Sequence, residues 1–196
     1  MVELTFPNID NWFGKQARKE IRKDVLKRAD RFGQVIGIIG VLIVIIFFYF
    51  HLTSSSGFFK STFDTFDAAL FFGINAIGIV PQFIRLVKGR KNPARFFDII
   101  NTALLLVAMV YFLSKFPFDF SHLADPLPIS LEPLLNWISN SLASALMALG
   151  IIGMLIALPY QTLLYMSIRD LQSEAKKQSQ GSAQYANSEE KSEEAK

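Results

Sequence analysis

Cysteine is absent from the 196 residues. That excludes disulfides, thiolate nucleophiles and every zinc or iron–sulfur site that depends on sulfur ligands. Histidine is almost absent too. The two present, His51 and His122, belong to no ligand-spaced motif, so a divalent metal would need them together with the loop acids Asp64, Asp67, Asp119 and Asp125. No metal or cofactor is expected on that basis. Walker loops, HExxH, nucleophile elbows and dinucleotide fingerprints are all missing, and no serine has a basic partner at a suggestive spacing. An enzyme is therefore the least supported class.

Charge is scarce in the places that would matter for coupled transport, because the central sections of the long apolar runs carry no ionisable residue. What fills those runs is apolar and aromatic. The chain is 51% hydrophobic with 19 phenylalanines, and they come in blocks such as Phe47 to Phe50 that a soluble domain could not cover. Lipid is the solvent that fits. Four runs are about as long as the ~20 residues a bilayer core requires, at residues 32–52, 63–87, 96–116 and 141–163. The first is too long, and its leader too acidic at Glu20, Asp24 and Asp30, for a cleaved signal peptide, so it is expected to remain as an anchor. The fold class is all-α: a polytopic membrane protein of four transmembrane helices, residues 32–168, preceded by a basic amphipathic segment, 1–31, and followed by a disordered tail, 169–196.

The basic residues set the orientation. Arg85, Lys88, Arg90, Lys91 and Arg95 crowd the short loop between the second and third spans without an acid among them, and such loops stay on the cytoplasmic side. Both termini then face the cytoplasm, in what is expected to be the plasma membrane. Upstream, Phe13, Ala17, Ile21, Val25, Ala29 and Phe32 recur every three to four residues, which predicts one helix from Trp12 to Phe32. Lys15, Arg18, Lys19, Arg22, Lys23, Lys27 and Arg28 fill its other face. The expected place for it is the headgroup layer, where these residues, with Lys88, Arg90 and Lys91, meet anionic lipid. The alternative is a helix packed on the protein's own loops. The net charge of +3 needs no nucleic acid, since the basic residues sit beside the spans.

Within the spans, small and polar residues are the informative ones. Gly33 and Gly37 form a GxxxG, and Ser141, Ser144, Ala145 and Ala148 recur at helical spacing, so both are read as seams for a neighbouring helix. Asn75 lies mid-span, Pro81 is expected to kink the second span, and Asn101 opens the third beside Asp98, for which Arg95 is the expected partner. Residues 115–133, rich in proline and phenylalanine, predict a cap lying on the outer membrane face. The function these features favour is an interaction or scaffold subunit, bound to a membrane-protein partner or to copies of itself. A passive channel or small-solute carrier using Asn75, Pro81 and Asn101 is the alternative.

Overall fold

The computed structural model describes residues 7–194, with side chains defined over residues 12–173. Residues 1–6 of the expected N-terminal segment and 195–196 of the expected tail lie outside it. Among the described residues six α-helices follow in order: α1 Pro7–Arg22, α2 Arg28–Ser54, α3 Thr65–Ile77, α4 Ile79–Lys88, α5 Asn92–Lys115 and α6 Asn140–Glu194. No strand occurs among these residues, only two isolated bridges. Four stretches are long and apolar enough to cross a membrane: Arg28–Ser54, Thr65–Lys88, Asn92–Lys115 and Asn140–Ser173. Each overlaps a span predicted from the sequence, and the all-α polytopic membrane fold is the one found.

The chain divides into a larger unit, Val25–Tyr160, and a smaller one formed by Met1–Asp24 with Gln161–Lys196. In the larger unit the buried side chains gather at one end of the bundle, where the connections after α2 and α5 meet; we call this the loop end. Backbone bonds tie the two connections together. Asp119 N donates to Phe58 O at 2.7 Å and Lys60 N to Pro117 O at 3.0 Å, so Phe59 and Phe118 face each other as a short antiparallel pair. Around them Phe58, Phe112, Phe118 and Leu123 are buried, flanked by Phe48, Phe63 and Phe71. Ring pairs such as Phe58–Phe59, edge to face at 4.9 Å, make this a phenylalanine plug, and such geometry adds about 0.5–1.5 kcal/mol per pair beyond burial. The connection expected as a surface cap is thus divided. Its first half points inward, whereas Ile129, Leu134 and Trp137 in its second half stay exposed, Ile129 at 85%.

At the opposite end, which we call the basic end, α4 stops at Gly89. That residue takes the left-handed conformation (φ 61°), and its N–H returns to Arg85 O at 2.9 Å. A Cβ there would also collide with the guanidinium of Arg31, so glycine is required twice over. Gly89 O then accepts from Leu26 N at 2.9 Å and Val25 bridges Arg90. This contact corrects the sequence reading of one helix from Trp12 to Phe32. The chain leaves helix after Arg22 because Val25 and Leu26 are extended against the basic loop, and Leu26 is buried there. A new helix begins at Arg28, its start stabilised by Asp30, whose carboxylate accepts from Lys27 N at 3.2 Å.

The smaller unit has its own core. Ala17 of α1 is fully buried against Leu164 and Ile168 of α6, with Ile21 and Leu171 beside them. Its helix α6 is continuous to Glu194, where the sequence reading expects disorder from about Ser173. The physical reason is composition: this stretch is dominated by Ala, Gln, Glu and Lys, which favour helix even without an apolar face to bury.

Candidate functional site

Thr65–Lys88 is one apolar stretch interrupted at Gly78, where α3 gives way to α4. Pro81 is the cause. It brings no N–H for the carbonyl of Ile77 one turn earlier, and the helix is interrupted at the residue that follows. A kink is expected from Pro81; what the structure shows is a break between α3 and α4 at Gly78, which keeps right-handed helical torsions (φ −59°, ψ −19°). Pro81 itself is buried. α5 passes beside Gly78, where a Cβ would stand in ordinary contact with Asn101 Nδ2, 3.7 Å away, and more tightly against Asn75 O at 3.2 Å.

Polar groups line up beside this break. Asn75 donates from Nδ2 to Phe71 O, one turn back in its own helix, at 2.7 Å. Gln82 reaches Gly78 O at 3.5 Å, and Asn101 Oδ1 is buried with no hydrogen-bond partner. An orphan acceptor of this kind costs about 1–3 kcal/mol, so the break is where this unit carries an unmet demand for a donor. Nearer the basic end Asp98 is ion-paired with Arg85 of α4, across the loop and not merely along its own helix. Arg95, the partner expected from spacing, donates Nε to Asn92 Oδ1 at 2.9 Å.

A second polar group sits at the loop end. Asp67 is completely buried, accepting from Tyr111 Oη at 2.8 Å, Lys115 Nζ at 2.7 Å and Asp64 N at 3.0 Å, while its own N–H donates to Asp64 Oδ1 at 2.9 Å. The last two bonds form a capping box that starts α3. His51, 1% exposed, is held by Leu123 O at 3.2 Å and Ser56 Oγ at 2.6 Å. The carbonyl can only accept, so the proton is on Nε2, and Nδ1 accepts from the serine hydroxyl. Asp119 accepts from Ser121 Oγ at 2.7 Å, Asn140 Nδ2 at 3.1 Å and Ser121 N at 3.1 Å, and these bonds hold its carboxyl below the ordinary value of 3.8. His122 pairs with Asp125 at 2.9 Å. The histidines and acids that could have met on a metal are thus engaged in separate pairs, and no ligand cluster of three or more forms among the described residues.

The packing residues behave unequally. Gly37 is covered by the side chain of Gln82, so α2 and α4 do approach there, whereas Gly33 has nothing against it. Only half of the GxxxG is used within the chain. On α6 the side facing the bundle carries Ala143, buried, and Gly150, where a Cβ would lie 3.1 Å from Met109 Sδ. Ser141, Ala145 and Ala148 fall on the opposite side by helical period, Ser141 and Ala145 being exposed. Ser144 bonds back to Asn140 O at 2.9 Å. Of the basic residues, Lys15, Arg18, Lys19, Arg22, Lys23, Lys27, Arg28, Lys88 and Arg90 are exposed and Lys91 is half-buried. No protein-family model, curated protein or solved structure matches this chain.

Proposed function

We propose that the chain is a non-catalytic interaction subunit of a complex in the cell membrane, with both termini and the Arg85 to Arg95 loop on the cytoplasmic side. The observation that carries the reading is the placement of Ser141, Ala145 and Ala148 on the side of α6 away from Ala143 and Gly150. Small residues matter in a bilayer because close backbone approach, and not hydrophobic burial, drives helix association. Here Ser141 and Ala145 are exposed and Ala148 is half-buried, which favours a helix from another protein or a second copy of this chain as their cover. The exposed Lys15, Arg18, Lys19, Lys88 and Arg90 support a further partner, anionic headgroups of the cytoplasmic leaflet, with α1 lying in the interface.

The test is Ala145→Leu with Ala148→Leu, which overfills the outward side of α6 and leaves Ala143 and Gly150 alone. Purified in mild detergent, the double variant is expected to run smaller than wild type on native gels with its helix content unchanged. Undisturbed assembly would remove the reading. A second reading, a carrier for a neutral solute, is favoured by the break at Gly78 with the unpartnered Asn101 Oδ1. It predicts solute flux in liposomes that Asn101→Leu changes while the oligomer survives, whereas the subunit reading predicts no flux.

A further inference from the structure

Inside the larger unit, between the phenylalanine plug and the break at Gly78, lies a half-open cavity of about 240 Å³. Phe48 of α2, Phe71 and Asn75 of α3, Met109 and Phe112 of α5 and Met147 of α6 form its wall. The wall is apolar apart from Asn75, one of whose two amide N–H groups is given to Phe71 O. Water has no place in such a space, because a buried water needs two to four polar partners. Nor does it stay empty without loss, since every wall atom would then lack dispersion contacts on one side. Its size exceeds the ~150 Å³ apolar cavity that admits benzene, so a stretch of several methylene groups fits.

We propose that this cavity holds the end of one acyl chain of a membrane phospholipid. Three features point to that occupant. Most of the wall, from Val44 of α2 to Met147 of α6, belongs to the apolar stretches, with Phe58, Phe118 and Phe120 of the connections closing the loop end, so the medium beside the cavity is hydrocarbon. On the α6 side the wall is made by Met109 and Met147, unbranched thioethers that reshape around a flexible guest and contact the neighbouring rings favourably. At Gly150 a Cβ would meet the end of the Met109 side chain at 3.1 Å, so α6 puts no bulky residue there to close the space. The inference is independent of whether the chain is a subunit or a carrier.

The experiment uses the full chain in vesicles containing a phospholipid with a photoactivatable diazirine in its acyl chain, and maps adducts by mass spectrometry. Two sites are compared: the cavity, at Met109 and Met147, and the exposed lipid-facing residue Ile156. Ala108, buried on the cavity wall, is replaced in Ala108→Phe to fill the space from α5, and Met147→Phe fills it from α6. Cavity adducts are expected in wild type and lost in whichever filled variant keeps its helix content, with labelling at Ile156 unchanged. Parallel loss at Ile156, labelling at Ile156 alone in wild type, or cavity labelling that survives filling each overturns the proposal. So does preferential labelling of the cavity by a photoactivatable isoprenoid alcohol when the phospholipid leaves it untouched. Should neither variant fold, the wild-type ratio of cavity to Ile156 adducts, and its competition by unlabelled phospholipid, decides the matter.

Discussion

Phe58 shows why single residues at the loop end matter more than their position in a connection suggests. It is 1% exposed and stacks around Phe48, His51, Phe59, Phe118 and Phe120 while its carbonyl accepts from Asp119 N, so one side chain touches both connections and α2. Phe58→Ala is expected to cost about 3–5 kcal/mol of unfolding free energy, as buried aromatic truncations do, measured by thermal or denaturant unfolding in detergent. Asp119 gives a prediction in pH. Its folded pKa is held below 3.8 by the Ser121 and Asn140 bonds, so its stabilising effect is complete above that value and is lost as the pH falls through the lower, folded one. Unfolding midpoints should therefore be flat near neutrality and drop in acid. In Asp119→Asn the part of the drop just below 3.8 should shrink, and an unchanged acid profile would refute the assignment. Little of this was legible in the sequence. Asp64 and Asp67 read as loop acids, whereas Asp67 is buried through Tyr111 and Lys115, more than forty positions away. A buried His51 is likewise set by Leu123, and no local spacing announces either pairing.

At the scale of elements, apolar length was enough to place the spans, because a bilayer imposes a minimum run that few other structures require. Boundaries set by contacts were another matter. The periodicity of residues 12–32 continues without interruption, and yet α1 stops at Arg22 because Val25 and Leu26 are engaged by Gly89 and Arg90. Pro81 marks the second span as interrupted but not where, since the carbonyl it frees lies one turn earlier, at Ile77, and the break between α3 and α4 falls at Gly78. In the smaller unit, Ala17 is small because Leu164 and Ile168 leave no room for more. Ala17→Leu should therefore overpack that contact and destabilise it by about 1–3 kcal/mol. Hydrogen exchange can check this element by element: amides of α1 should exchange faster in the variant while those of α5 remain as in wild type. Uniform protection in α1 would mean that its contact with α6 contributes little.

Considered as a whole molecule, the chain separates its charges by end, and this is where the topology can be tested. At the loop end Lys115 is bound by Asp64 at 3.0 Å and Asp67 at 2.7 Å, and Lys60 lies 5.0 Å from the Phe116 ring centre. Lys115 therefore carries little net positive charge into that end, whereas Lys88 and Arg90 at the basic end are exposed. The rule that retains Lys and Arg on the cytoplasmic side counts those residues and not net charge, and Lys60 and Lys115 at the loop end stand against Arg85, Lys88, Arg90, Lys91 and Arg95 in the basic loop. A chain without cysteine allows clean single-cysteine labelling. The probes should avoid Gly89, where any side chain meets Arg31 and the backbone is left-handed, and Ser55, which also has positive φ. Ser130 and Lys88 are exposed and suit the purpose. An impermeant thiol reagent is expected to label Ser130→Cys in intact cells, and to reach Lys88→Cys only after permeabilisation. The reverse pattern would invert the topology and place the basic loop outside, leaving the anionic-leaflet reading of Lys88 and Arg90 without its surface.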